Sequence, residues 1–321
     1  MTVKEIKDSL KNYKTEDLYK IVVELYKRIP KKKKDEYNID NLITNFYEET
    51  KKEEKVLNFE ELVKEVEYFI ECAKDGLYSE PNNIISKKER TGWRFKAMRY
   101  YKELINVDNN THKGKIATDL LIELYSILSY GTYYLTFSNW DTFRAIQISQ
   151  TSFLRTVLER KFEYEVTKEE LDKITDILIL GVDRETLYDE LFYIFGEVSK
   201  TKENRLLTIQ ILEEKIKNLQ EQLKDKKIKN DWNKSYKIKS KANHYITIIL
   251  VLYIYLNEIE KGCIYYIKNH KENNDEINMY CLLDHLKHFK LYEDWIREYE
   301  NNKVDYRDSL KKEYAEFKKK L

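Results

Sequence analysis

Glycine and proline are scarce in this sequence. Its 321 residues include 7 glycines and 2 prolines, whereas an average chain uses about 12% of its positions for these two residue types. Sheets and loop-rich folds need many more turn residues than this. The sequence therefore predicts an all-α fold of about a dozen antiparallel helices, arranged as a bundle or a short α-solenoid.

Cysteine is equally sparse. Cys72, Cys263 and Cys281 lie far apart in the chain, and no C-x-x-C pair occurs, which excludes the common zinc and redox motifs. The first ten residues are rich in charge and lack the apolar core of a signal peptide. We expect a cytoplasmic protein in a reducing compartment, with no cofactor and no bound metal.

Long apolar runs are also missing. The longest stretch, Tyr245 to Leu256, falls well short of the roughly 20 residues that span a bilayer, so it predicts a core helix and no membrane insertion. The net charge is only +1 although 36% of the residues are charged. Without a long-range field to attract nucleic acid or anionic lipid, an electrostatic partner has to meet a local patch.

Catalytic motifs are absent as well. The sequence contains no G-x-S-x-G elbow, no phosphate loop, no G-x-G-x-x-G and no H-E-x-x-H, and no Arg precedes a His at the spacing typical of one large class of helical RNases. We therefore predict no catalytic residue and favour a protein that is not an enzyme. An enzyme remains the third alternative, because active sites assemble in space, and it requires a deep pocket lined by several polar side chains.

Helix patterns and polar breaks divide the chain into three predicted segments. These are an N-terminal helical subdomain (1–57), a central helical array (58–198), and a coiled-coil hairpin with C-terminal helices (199–321). The N-terminal helical pair and the segment Lys115–Lys161 resemble poorly characterised bacterial helical-repeat proteins, some of which also carry zinc-binding domains. The paired cysteines of those zinc modules are absent here, so the resemblance implies a helical-repeat fold and brings no metal or catalytic residue.

Caps and glycines predict individual helix bounds. Asn58 is expected to begin a helix over Phe59–Lys74, and a capping box at Thr167 begins another that ends at Gly181. Further helices are predicted at Asp141–Lys161, from an Asp183 cap to Gly196, and at His244–Tyr266.

One helix carries the spacing of a coiled-coil seam. Its apolar residues recur at intervals of 3, 4, 3 and 4, namely at Ile209, Leu212, Ile216, Leu219 and Leu223. This pattern predicts a protruding hairpin and a possible homodimer through the seam. The leading functional hypothesis is a protein-binding or adaptor protein that uses a helical surface or this hairpin.

Two basic aromatic segments support a second hypothesis, a nucleic-acid-associated protein. In the first basic segment (87–102) and the second basic segment (224–241), cations alternate with aromatic rings that can stack on bases. The candidate phosphate contacts are Lys87, Lys88, Arg90, Arg94, Lys96, Arg99, Lys234 and Lys237. The alternative is an ordinary solvated face above buried rings for the first segment and a solvated connection for the second. Exposed cations that converge on one face would favour nucleic acid, whereas buried Trp93 and Tyr100 with the two segments far apart would favour the adaptor hypothesis.

Two further patterns are interpreted structurally. Cys281, His285 and His288 share one helical face, but three ligands from one helix rarely complete a metal site, so we expect a half-buried thiol and two interface histidines. Gly181 imitates the turn of a helix-turn-helix motif. Its second helix carries Asp189 and other acids, which would repel DNA.

Overall fold

The computed structural model describes residues 3–37, 39–44, 58–139, 141–272 and 274–320. These residues form eighteen helices and no strand, which confirms the all-α prediction. The helices are α1 Val3–Leu10, α2 Thr15–Arg28, α3 Lys31–Glu36, α4 Ile39–Thr44, α5 Phe59–Lys74, α6 Lys87–Ile105, α7 His112–Tyr133, α8 Thr142–Ile146, α9 Gln150–Lys161, α10 Lys168–Ile177, α11 Tyr188–Val198, α12 Lys202–Gln222, α13 Lys226–Lys229, α14 Trp232–Tyr255, α15 Ile259–Asn269, α16 Asp275–His288, α17 Tyr292–Asn301 and α18 Asp308–Phe317.

The chain divides into two compact units, Met1–Asn58 and Phe59–Leu321. The described part of the first unit consists of α1 to α4, and neither α2 nor α3 contains a buried residue. The Tyr26 hydroxyl donates a hydrogen bond to Asp40 Oδ1 over 2.7 Å. A helix was expected to continue from Ile39 to Lys51, and its positions after Thr44 lie outside the described residues.

Helices of the second unit pack one after another. The first layer joins α5 and α6 to α7, which contacts α9; α9 then packs against α11, and α11 against α14. The long helix α14 also contacts α12 and α15, and α16 to α18 follow from α15. The apolar half of α14, from Tyr245 to Tyr253, is buried in the centre of this array. Among the described residues, no helix combines the length and the apolarity that a bilayer crossing requires.

Two helices predicted as continuous are each broken in two. The expected helix Asp141–Lys161 is interrupted by Gln147, and the expected helix His244–Tyr266 is interrupted by Asn257. Both residues adopt the left-handed backbone conformation, with φ of 59°. This conformation ends an α-helix because the following amides can no longer continue its backbone hydrogen-bond pattern. Hydrophobic periodicity runs through both positions, so it did not reveal either break.

Local caps were predicted with mixed success. The capping box at Thr167 is present, with Thr167 and Glu170 bonding each other's backbone amides. The prediction that Asp183 begins a helix is wrong, because α11 begins at Tyr188. Asp183 instead accepts a hydrogen bond from the Glu185 amide within the preceding turn.

Gly196 permits a close approach between α11 and α14. A methyl group at this position would lie 2.6 Å from the Tyr255 ring and 2.7 Å from Val251, which is inside van der Waals contact. Because both neighbours belong to the central helix, only a residue without a side chain lets the two helices pack at this distance.

Candidate functional site

The predicted coiled-coil seam is part of the chain's own core. Ile209, Leu212, Ile216 and Leu219 on α12 are all buried, and α12 packs against α10 and α14 of the same chain. Leu223, which follows the helix, is half-buried. These four buried side chains therefore stabilise this fold and present little surface for a second chain.

The first basic segment turns its large rings inward. Trp93 and Tyr100 are 1% and 2% exposed; Trp93 stacks on Phe137 with ring centroids 4.3 Å apart and donates a hydrogen bond to Ser138 Oγ over 3.2 Å. Phe95 remains exposed, beneath the Arg94 guanidinium.

Several cations of this segment are already engaged. The Arg90 guanidinium donates hydrogen bonds to the carbonyl oxygens of Asn82 and Ile85, Lys96 pairs with Glu89 at 2.9 Å, and Arg99 pairs with Glu65. Lys87, Lys88, Arg94 and Lys102 form neither an ion pair nor a side-chain hydrogen bond with a described residue. The first basic segment is therefore mainly a structural helix with a charged outer face.

The second basic segment has the opposite arrangement. Trp232 and Tyr236 are 74% and 59% exposed, and their rings stack with centroids 5.4 Å apart and an angle of 13° between the planes. Lys234 is paired with Asp231 at 3.3 Å. Five lysines of the segment form no ion pair with any residue that the structure describes, namely Lys226, Lys227, Lys229, Lys237 and Lys239.

The two segments belong to different parts of the array. Helix α6 packs against α7 and α8, whereas α14 packs against α11, α12, α13 and α15. The two sets of neighbours do not overlap, so these contacts do not support the expected convergence of the two segments on one face, and each segment is a separate surface.

A cleft of about 460 Å³, lined by both polar and apolar side chains, opens beside the second basic segment. Its mouth is formed by Trp232, Tyr236 and Lys239 on the first turns of α14, and its inner wall by α11, α15, α16 and the loop after α15. Asn243 joins two of these elements, because its amide nitrogen donates to the Lys271 carbonyl oxygen over 3.0 Å and its amide oxygen accepts from the Lys271 amide over 3.1 Å. This link fixes the loop 270–272 at the edge of the cleft.

Three histidines from three different elements line this cleft: His244, His270 and His285. The Tyr266 ring stacks on His270 at 4.3 Å and meets His285 edge-on at 6.1 Å, so both imidazoles flank one aromatic ring. Burial lowers the pKa of His244 and of His285 to about 4, and burial also lowers the pKa of His270. All three rings are consequently neutral at pH 7 and act as hydrogen-bonding groups.

Asp189 supplies an unpaired carboxylate to the same cleft. This side chain, on the first turn of α11, is half-buried and forms no hydrogen bond or ion pair with the described residues. Its pKa is raised to about 6, mainly by burial and then by the charge of Asp284, against the opposing effects of His270 and His288. A half-buried carboxylate without a partner lowers the stability of the folded chain, and such groups concentrate at functional sites.

A metal site receives no support from the arrangement of these side chains. Within the described ranges, no group of three or more His, Cys, Asp or Glu side chains is placed to hold a metal ion. His285 Nδ1 lies 2.7 Å from the Tyr193 hydroxyl, and the ring of His288 stacks on Tyr193. Burial raises the pKa of Cys281 to about 11, which keeps its thiol protonated.

Sequence reasoning missed the cleft because its residues are distant in the chain. Asp189 was considered only as an acid that repels DNA, and His244 and His270 were not candidates. The pair His285 and Cys281 was noticed through its helical spacing, and Trp232 and Tyr236 through their lysine-rich surroundings. Neither a protein-family model nor a curated protein nor a solved structure matches this chain.

Proposed function

We propose that this protein binds single-stranded nucleic acid through the second basic segment and the mouth of the adjoining cleft. The observation that carries the proposal is the stacked, solvent-exposed pair Trp232 and Tyr236. Exposed rings of this kind stack on bases of any sequence, typically with about 1–3 kcal/mol per base.

The charges around these rings favour a polyanion. Lys229, Lys237 and Lys239 lie in or beside the first turns of α14 and have no carboxylate partner among the described residues, so their ammonium groups are free to meet phosphates. Each phosphate contact releases counterions, and binding by such a surface weakens as salt rises. Single strands fit better than duplex because only unpaired bases expose a face to the two rings.

Fluorescence titration with matched RNA and DNA oligonucleotides tests this function. Trp93 and Trp295 are buried and Trp140 is the same in both proteins, so quenching that disappears in Trp232→Phe reports contact at the exposed ring. We expect the double variant Trp232→Ala, Tyr236→Ala to lose about 10- to 100-fold in affinity for both oligonucleotides, and Lys237→Glu to reduce the dependence on salt.

The matched control is a double charge reversal, Lys87→Glu with Lys102→Glu, on the exposed face of the first basic segment. We expect this variant to bind nearly as well as the wild type. Equal losses in both double variants would contradict the proposed site, and the absence of salt-sensitive binding by the wild-type chain would contradict the function itself.

A protein partner is the second candidate function. It is favoured by a group of exposed side chains at the end of α7, where Tyr130 stacks on Tyr134 at 4.2 Å and Tyr133 and Leu135 lie beside them. Contiguous exposed apolar residues commonly mark interaction surfaces. A second copy of this chain is the partner to test first, by sedimentation equilibrium of the wild type against the variant Tyr133→Ser, Leu135→Ser. Concentration-dependent association that the variant lacks is expected, and a strictly monomeric wild type would remove self-association as this function.

A further inference from the structure

The cleft behind the proposed binding surface contains an acid and a base that can each exchange a proton with a ligand. The acid is Asp189, whose carboxylate has no partner in the described part of the chain. The base is His270, which is 4% exposed and lines the same cleft. They influence each other electrostatically: besides burial, His270 acts to lower the pKa of Asp189, and Asp189 acts to raise the pKa of His270.

The hydrogen bonds around His270 determine its tautomer. The Asn278 amide nitrogen donates to the His270 carbonyl oxygen over 3.2 Å, and Asn278 Oδ1 accepts from the Glu272 amide over 2.9 Å. Since Asn278 Oδ1 is thereby identified as the acceptor, His270 Nδ1, 2.9 Å away, must carry the proton and donate it. In the neutral ring, Nε2 then holds the lone pair, and it forms no hydrogen bond with the described residues.

His285 and two lysines add hydrogen-bond donors to the cleft. The Tyr193 hydroxyl lies 2.7 Å from His285 Nδ1, and because a phenol is a better donor than acceptor, His285 Nδ1 accepts and Nε2 carries the proton. Lys239 and Lys271 also line the cleft, beside the carboxylates of Glu272 and Asp284. A neutral N–H group and two ammonium groups suit the non-bridging oxygens of a phosphodiester.

We propose that this cleft cleaves RNA, with His270 as general base and Asp189 as general acid. This inference rests on the proposed function, because the strand would be held by Trp232 and Tyr236 at the mouth of the cleft. RNA carries its own nucleophile, the 2′-hydroxyl, so proton transfer by two positioned side chains is sufficient to break the chain.

The reaction is a transesterification in which all atoms are retained. His270 Nε2 takes the proton of the 2′-hydroxyl, the 2′-oxygen forms a bond to the adjacent phosphorus, and the bond from phosphorus to the 5′-oxygen breaks. Protonated Asp189 gives its proton to the departing 5′-oxygen. The products are a strand ending in a 2′,3′-cyclic phosphate and a strand beginning with a 5′-hydroxyl, and water restores the two side chains to their starting protonation states.

The deciding experiment compares an oligoribonucleotide with the all-deoxy oligonucleotide of the same base order, using the full-length chain. Both are expected to bind, and only the RNA is expected to be cleaved, with a cyclic phosphate identified by mass spectrometry. His270→Gln and Asp189→Asn are each expected to reduce the cleavage rate by about 100-fold or more while affinity for the uncleavable DNA changes less than about threefold. His112→Gln, at the exposed start of α7, is the matched histidine control and is expected to cleave at the wild-type rate.

The outcomes separate the two proposals. RNA that binds and is recovered intact would overturn the cleavage inference and leave the binding function standing. RNA that is cleaved equally by the wild type and by both site variants would overturn the assignment of the cleft, since it would indicate a contaminating nuclease. Cleavage that depends on His270 in a chain whose Trp232 fluorescence does not respond would support the cleft and contradict the binding surface. If His270→Gln fails to fold, Asp189→Asn and the deoxy substrate still decide the question.

Discussion

The first and second basic segments have similar compositions, but the large aromatic rings are buried in the first and exposed in the second. Both alternate lysines or arginines with aromatic residues, yet Trp93 in the first segment is buried against Phe137 whereas Trp232 in the second is 74% exposed. The difference arises from the packing: the ring side of α6 is covered by its neighbours, whereas the first turns of α14 are mostly exposed and only its apolar half is buried. A basic aromatic pattern therefore indicates a binding surface only where the packing leaves its rings outside.

The largest effect is expected from removing the inward ring. Trp93→Ala deletes a buried ring and the hydrogen bond to Ser138, and we expect a loss of about 3–5 kcal/mol in the free energy of unfolding, measured by urea denaturation. The matched variant is Trp232→Ala on the other segment. A loss of similar size at Trp232 would contradict the contrast between the two segments.

The cleft beside the second segment predicts a dependence of stability on pH. His285 binds a proton with an ordinary pKa of 6.5 in the unfolded chain and with a pKa of about 4 in the folded chain, so unfolding takes up a proton between these values. The free energy of unfolding should fall as the pH is lowered from about 6.5 to 4, by about 3 kcal/mol from this residue alone, and His244 acts in the same direction.

Urea denaturation at a series of pH values measures this effect, and His285→Gln should flatten the profile. The acid Asp189 has the opposite sign, since its pKa is raised on folding and its contribution to stability falls as the pH rises towards 6. A wild-type profile that rises on acidification through this range would contradict the burial of the histidines.

Asp189→Asn should stabilise the folded chain at pH 7. The substitution keeps the shape of the side chain and removes a half-buried charge without a described partner, so we expect a gain of about 2 kcal/mol by urea denaturation. Together with the expected loss of RNA cleavage, this gain would indicate a residue kept for activity at the expense of stability. A destabilised variant would mean that the carboxylate has a structural role.

The smallest effect is expected at the outward ring. Trp232→Ala should change the free energy of unfolding by less than about 0.5 kcal/mol, as is usual for exposed positions, while it weakens nucleic-acid binding. Thermal unfolding and fluorescence titration of the same preparation measure both properties. A variant that loses neither stability nor affinity would leave the exposed ring pair without a function.

The sequence predicted helix type and many helix positions because these depend on local chemistry. Sparse glycine and proline, the helix start after Asn58, the capping box at Thr167 and the apolar run from Tyr245 can each be recognised within a few residues. The breaks at Gln147 and Asn257 were not, since both residues adopt the left-handed conformation without the glycine that usually signals it. Tertiary packing determines these two ends.

The candidate site was predicted only at its rim. Trp232 and Tyr236 lie among lysines in the sequence, so the second basic segment was proposed from sequence, although the same reasoning ranked the first segment above it. The cleft requires Asp189, His270 and His285 to meet from α11, the loop after α15 and α16. Their spacing along the chain does not predict this proximity, because the three residues are brought together by the packing of separate helices around Tyr266.

Gly196 lies on the same helix as Asp189, the carboxylate of the cleft. It lies seven residues after Asp189 on α11, about 10 Å along the helix axis at the usual rise per residue. A side chain at Gly196 would clash with the Tyr255 ring and with Val251, so α11 could not keep its present packing against α14 without a shift in one of them. The close packing at Gly196 thus holds the helix that supplies Asp189 against the central helix α14, two turns away from the carboxylate.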